Sequence, residues 1–263
     1  MREVDAALER AYALRDQADR ARTVPPAPHV TARALRGGPG KSSEAHAQQS
    51  DAGRATELHW PPVVLGLERE WGDRFERMAE LVLNARRQQN LKVLLFTSCH
   101  RAEGRTTLML TLSRALARHP ERTILVDGDL TGPMLARLLA LRPAVGLDDV
   151  VESGQALSEA LIDAHDDHLT LLPMRFAVTR PRDFLASPAW TCTLARLRRE
   201  FDLILIDGGP LFTGLSAAAL HRSVDAAVLV HHRGMSGERA IHRAIEVLSG
   251  GGVPILGLAE TFV

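Results

Sequence analysis

The chain has 263 residues, 45% of them hydrophobic and 24% charged, which suits one substantial α/β domain with an appendage. Its 32 basic side chains face 32 acidic ones, so it lacks the basic excess of a general nucleic-acid binder, and no nucleic-acid partner is expected. Two cysteines, Cys99 and Cys192, make neither a disulfide framework nor a metal-ligand spacing, and a reducing cytoplasm is the expected compartment. The apolar runs are too short to span a bilayer, and the N-terminus carries acidic residues without an apolar core. Neither a membrane span nor a secretory signal is therefore expected.

Residues 1–23 read as a helix, with Val4, Leu8 and Ala11 on one face between charges such as Arg2, Glu9 and Arg15. That stripe is short and mostly alanine, which suits docking onto a partner protein better than lipid insertion. Residues 24–65 carry Pro25, Pro26, Pro28, Gly37, Gly38, Pro39 and Gly40, then small polar residues, and read as a flexible linker. From residue 66 the chain becomes regular, beginning with a helix over Glu68–Gln88 whose apolar stripe is Phe75, Met78, Leu81 and Val82.

Short, nearly continuous apolar runs follow: Lys92–Thr97, Thr123–Val126, Leu169–Leu172, Leu203–Ile206, Ala226–Val230 and Pro254–Leu258. Runs without alternation suit strands buried on both faces of a parallel sheet. Amphipathic helices fit between them over Arg105–Ala117, Pro188–Glu200 and Glu238–Leu248. The alternation predicts an α/β fold, a mostly parallel sheet flanked by helices.

In such sheets ligands sit beyond the carboxyl ends of the strands. After the first run comes Thr97-Ser98-Cys99-His100-Arg101-Ala102-Glu103-Gly104-Arg105-Thr106-Thr107, then a helix. The phosphate-binding pattern G-x-x-x-x-G-K-[ST] cradles phosphate on backbone amides at a helix N-terminus. Gly104 and Thr106 fit that pattern, whereas Cys99 stands at the first glycine and Arg105 at the lysine. A glycine in a strand-to-helix turn is common, so the loop alone decides little. Two later runs add carboxylates at strand ends: Asp127 and Asp129 after one, Asp207 after the other. Each is explicable as a turn residue. Together with the loop they supply what a magnesium–nucleotide site needs, oxygen ligands around a hard cation.

At these residues the sequence resembles the bacterial tyrosine kinases of the capsular exopolysaccharide family, relatives of the MinD/ParA ATPases. The resemblance covers about residues 70–263 and implies a P-loop NTPase-type α/β domain over 66–263. Ser98 through Thr107 match the family's S-S-x-P-G-E-G-K-S-T loop, keeping Glu103, Gly104 and Thr107. Val126-Asp127-Gly128-Asp129-Leu130-Thr131-Gly132-Pro133 matches I-D-A-D-L-R-R-P, and Ile206-Asp207-Gly208-Gly209-Pro210 matches I-D-T-P-P. Leu147-Asp148-Asp149-Val150, Leu171-Leu172-Pro173 and Pro181 through Ser187 resemble further family segments. Arg74 and Arg77 match an E-x-x-R-x-x-R helix, with Trp71 where the glutamate belongs.

The resemblance implies ATP and Mg²⁺ as cofactors. Phosphates would lie on Arg101, Ala102, Glu103, Gly104, Arg105, Thr106 and Thr107. Asp127 would act as base or water-holder, Asp129 and Arg105 would join it in catalysis, and Thr106, Asp129 and Asp207 would surround the metal. Thr261 stands where the family's base-reading asparagine falls. The implied partners are a membrane-bound polysaccharide chain-length (co-polymerase) protein, which would recruit the chain to the inner face of the membrane, and further copies of the chain.

Three departures bear on activity. Arginine is a planar fork where lysine is a point charge, so Arg105 is not a conservative exchange. Ala102 replaces a loop glycine. The family's tyrosine-rich tail is missing, Tyr12 being the single tyrosine. Three functions remain: an ATP-dependent kinase-like component of exopolysaccharide synthesis or export, a non-catalytic regulator on the same fold, and a MinD/ParA-like positioning ATPase. The absence of any lysine after Lys92 counts against the third. Among lesser features, Arg74 and Arg77 read either as an assembly surface or as a solvated helix face. His231-His232 reads as structural or solvated rather than metal-binding. Cys99 at a helix entrance is expected to have a lowered pKa.

Overall fold

The computed structural model describes residues 58–212 and 223–261. The expected N-terminal helix, Tyr12 and the linker up to residue 57 lie outside the described residues.

The first helix, α1 (Pro62–Gln89), begins within the stretch expected to be linker. Pro62 opens it without penalty, because the first helical N–H has no intrahelical partner to lose. Asn90, in the left-handed conformation at φ 54°, ends it. The helical dihedrals break at Trp71 (φ −126°), and the Arg74 guanidinium stacks 4.1 Å from that indole. After α1 come β1 (Val93–Ser98), α2 (Arg105–Leu116), β2 (Thr123–Gly128) and three short helices, α3 (Leu135–Leu138), α4 (Leu147–Ser153) and α5 (Leu157–Ala160). Then follow β3 (Ile162–Ala164), β4 (Leu169–Leu172), α6 (Pro181–Ala186), α7 (Pro188–Glu200), β5 (Leu203–Pro210), β6 (Ala226–His232), α8 (Glu238–Gly250) and β7 (Ile255–Thr261).

The strands form one seven-stranded sheet in the order β3-β4-β2-β5-β1-β6-β7. Every pairing is parallel except β3 with β4. β3 was not expected: at three residues it is too short to show as an apolar run. The six expected strands are all present, most of them extended at the C-terminal end. β5, for instance, continues through Asp207 to Pro210.

Alternation of side chains along each strand sends successive residues into opposite layers. Val93, Leu95, Ile124, Val126, Ile204 and Ile206 pack with Trp190, Leu194 and Leu197 of α7 and with Leu248 of α8. Leu94, Phe96, Leu125, Leu203 and Leu205 pack with Phe75, Val82 and Leu83 of α1 and with Met109 and Leu112 of α2. Both faces are therefore apolar, and each buried Leu, Ile, Val or Phe side chain stabilises the fold by about 1.5–3 kcal/mol. β1 lies between β5 and β6, and β2 lies between β4 and β5. This order brings the carboxyl ends of β1, β2 and β5 together, with their acidic residues beside the start of α2.

Candidate functional site: a phosphate loop with an internal cation

β1 leads into the loop 98–104, and α2 begins at Arg105. Gly104 takes a left-handed φ of 77° as the N-cap, and no side chain caps the helix. Ala102 also takes a positive φ, 63°. The conformation that glycine would adopt freely is thus imposed on an alanine, at a cost of about 1 kcal/mol. The uncapped amides and the aligned dipoles of a helix N-terminus suit an anion.

The loop is stitched to the carboxyl ends of the neighbouring strands β6 and β7. Glu103 is 1% exposed. Its Oε2 accepts from the His100 N–H at 2.7 Å, and its Oε1 accepts from the Ser236 hydroxyl. Thr261 Oγ1 donates to the Glu103 carbonyl at 2.8 Å, and a Cβ on Gly104 would stand 3.1 Å from Thr261 Cγ2. Thr261, expected near a base, here braces the loop. Ser236 carries no signal in the sequence. It lies 133 residues from Glu103, and nothing local marks it.

Asp127 and Asp207 are direct register partners on β2 and β5. Asp127 Oδ2 accepts from the N–H groups of Met134 (3.0 Å) and Leu135 (2.9 Å). Its Oδ1 has no partner among the described residues. Burial pushes its pKa up to about 8, with the Asp207 and Asp129 charges acting in the same direction. Its surroundings therefore favour the protonated form, which suits a proton-holding group better than a metal ligand.

Arg105 does not turn toward the loop opening. Its side chain is 9% exposed. Nε donates to Asp207 Oδ1 at 2.6 Å, Nη1 to Ser98 Oγ at 3.3 Å and Nη2 to Asp129 Oδ2 at 3.5 Å. Burial opposes its charge, but the charge and hydrogen bond of Asp207, then Asp129 and Asp127, outweigh burial and raise its pKa further. Thr106 Oγ1 takes the other Asp207 oxygen at 2.7 Å. Asp129 is held by Arg101, whose Nη1 reaches Oδ2 at 3.0 Å, and by the Thr131 hydroxyl and Gly132 N–H on Oδ1, at 3.0 and 3.1 Å. Arg101 also donates to Thr131 Oγ1 at 2.9 Å.

The residues expected around a metal, Thr106, Asp129 and Asp207, are thus brought together, but each is engaged. Both Asp207 oxygens and both Asp129 oxygens accept hydrogen bonds, and Arg105 joins the two carboxylates. A guanidinium thus stands between the two carboxylates, beside a helix N-terminus whose uncapped amides suit an anion. Thr107, also expected at the phosphates, lies in the first turn of α2, where its carbonyl accepts from Thr111 Oγ1 at 2.8 Å.

For Cys99 the outcome differs from expectation. Cys99 is fully buried, and burial raises its thiol pKa, the reverse of the lowering expected from a helix entrance. His232 Nδ1 accepts from the Gly234 N–H at 3.0 Å, and no metal-binding group of His, Cys, Asp or Glu occurs among the described residues. No described helix is long and apolar enough to cross a membrane. Asp148 is 5% exposed and accepts from the Arg175 and Phe176 N–H groups at 2.8 and 3.2 Å. It thereby fixes one wall of a hollow of about 320 Å³ lined by residues including Arg137, Met174 and Phe176.

No family model matches the chain. It is similar to the tyrosine-protein kinase CpsD of Streptococcus pneumoniae, 28% identical over 169 residues, 64% of this chain and 74% of the relative. Among solved structures it is similar to the VpsO kinase domain, with a TM-score of 0.67 and 26% identity over 74% of this chain and 96% of that one. It is also similar to the septum site-determining protein MinD from Pyrococcus horikoshii, solved with Mg-ADP. The TM-score there is 0.51 and the identity 25%, over 64% of this chain and 68% of that one. The chain's relatives are thus bacterial tyrosine-protein kinases, and its fold is the P-loop α/β fold they share with MinD ATPases.

Proposed function

We propose that this protein is a tyrosine-kinase-like component of bacterial exopolysaccharide or capsule assembly that binds the phosphates of ATP at the 98–107 loop and transfers phosphate weakly or not at all. The observation that carries the reading is the Arg105 side chain, turned beneath the loop onto Asp207 and Asp129. Phosphoryl transfer depends on positioned charge at the transferring group, and a cation already paired to two carboxylates is poorly placed to supply it. The uncapped start of α2 and the half-exposed Arg101 support binding. The similarity to CpsD and to the VpsO kinase domain supports the setting.

In this reading Asp127 holds a proton near the loop, Glu103 and Thr261 keep the loop in shape, and Arg74 and Arg77 face either another copy or solvent. A membrane-bound chain-length protein is the proposed partner, recruiting the chain to the inner membrane face from the cytoplasm. The same observation favours the second reading, a non-catalytic regulator that acts through this partner. A MinD-like positioning role is less favoured, since the loop carries no lysine.

The test is ATP affinity and turnover of the purified chain, with and without Mg²⁺. Micromolar binding with little turnover agrees with the proposal. Turnover at the ordinary kinase scale of roughly 1–100 s⁻¹ would overturn its catalytic half, and absence of any nucleotide binding would overturn it as a whole.

A further inference from the structure

In an ordinary phosphate site of this kind, carboxylates at strand ends hold a divalent cation, which neutralises them and the phosphates together. In this protein the carboxylates are neutralised from within. Asp207 is paired to Arg105 at 2.6 Å and Asp129 to Arg101 at 3.0 Å, with Arg105 also 3.5 Å from Asp129. Two negative side chains are balanced one for one by two guanidinium groups. A divalent cation would have to displace an arginine from its carboxylate, and separating the buried Arg105–Asp207 pair is strongly unfavourable.

The two arginines differ in access. Arg105 is sealed beneath the loop at 9% side-chain exposure, whereas Arg101 is 48% exposed. A guanidinium has five N–H donors, and the contacts of Arg101 to Asp129 and Thr131 leave donors free on its exposed side. Gly132 makes room for it: a Cβ at that position would lie 2.8 Å from Arg101 Nη1.

We infer that Arg105 takes the place of the divalent cation, so that the loop accepts a nucleoside di- or triphosphate as a metal-free anion, with Arg101 as the cation that contacts it. The inference rests on the reading of the loop as a nucleotide site. Arg105 is a positioning residue that holds Asp207, Asp129 and Ser98 in place. Arg101 is the group that meets the ligand, through planar paired donors that match phosphate oxygens.

The test is calorimetric titration of the full chain with ADP in two buffers, one with excess Mg²⁺ and one with EDTA. The dissociation constant of the native protein is expected to agree between the buffers within about twofold, and Arg101→Ala to weaken binding by about tenfold or more in both. Gly132→Ala, which displaces Arg101 and removes no charge, is expected to weaken binding in the same sense. Arg105→Lys is expected to make binding magnesium-dependent, losing about tenfold or more in EDTA. Should that variant fail to fold, the native and Arg101→Ala titrations decide the matter alone. A native protein that binds ADP only with Mg²⁺ overturns the inference and leaves the nucleotide reading standing. A native protein that binds ADP in neither buffer overturns the nucleotide reading, and this inference with it.

Discussion

A guanidinium and an ammonium carry the same charge into the phosphate loop but place it differently. The forked head of Arg105 bridges Asp207, Ser98 and Asp129 in one plane, a geometry an ammonium cannot reproduce. A lysine at this position is free to extend to the loop opening and meet the outer phosphate oxygens. Arg105→Lys is therefore expected to raise ATP turnover in Mg²⁺ by on the order of tenfold, since one added positioned charge contributes about that much or more. Single-turnover release of phosphate from labelled ATP measures it, and a variant no faster than the native chain would count against the role given to Arg105. The exchange itself was legible in the sequence. That the guanidinium turns inward was not, because the carboxylates that draw it lie 24 and 102 residues away.

Among the elements, α7 shows how local signals and long-range contacts divide the stabilisation. Its bounds, Pro188–Glu200, are those expected from the apolar period. Ser187 supplies its N-cap, with Oγ accepting from the Trp190 N–H at 3.1 Å. Ser187→Ala is expected to cost about 1 kcal/mol in denaturant unfolding, and an unchanged midpoint would show the cap to be idle. The far end of the helix is held through Asp225, which joins α7 to β1 and β6. Asp225 accepts from the Lys92 and Val93 N–H groups at 2.8 Å each and pairs with Arg198 at 2.6 Å. Burial alone would raise its pKa, but the bonds from Arg198, Val93 and Lys92 bring it below the usual 3.8. A carboxylate with a depressed folded-state pKa contributes stability above its unfolded value and loses it as pH falls through the folded one. Asp225→Asn is thus expected to cost about 1–2 kcal/mol at pH 7, allowing for its partial exposure. The variant should also lose less further stability than the native chain between pH 5 and roughly pH 3. Parallel acid curves for the two proteins would refute this.

At the scale of the molecule, the segment just before α1 is part of the packed core. Leu58 is buried, and Trp60 Nε1 donates to Asp167 Oδ1 at 2.8 Å while the Arg114 guanidinium stacks 4.7 Å from its ring. A chain beginning at residue 58 is expected to unfold in one cooperative transition near the native midpoint. One beginning at residue 61 is expected to be weaker by about 2–4 kcal/mol, the cost of losing a packed tryptophan and its neighbour. Equal midpoints for the two truncations would remove Trp60 from the core. By itself the sequence determined the α/β class, the six longer strands and the main helices. Each of these is encoded in the spacing of apolar residues and glycine over a few turns or one strand. Only the tertiary structure decided the strand order, the short antiparallel β3, the Glu103–Ser236 brace and the inward turn of Arg105. Those depend on charges and surfaces brought together from distant parts of the chain, whose attraction is felt only after the sheet has excluded water from between them.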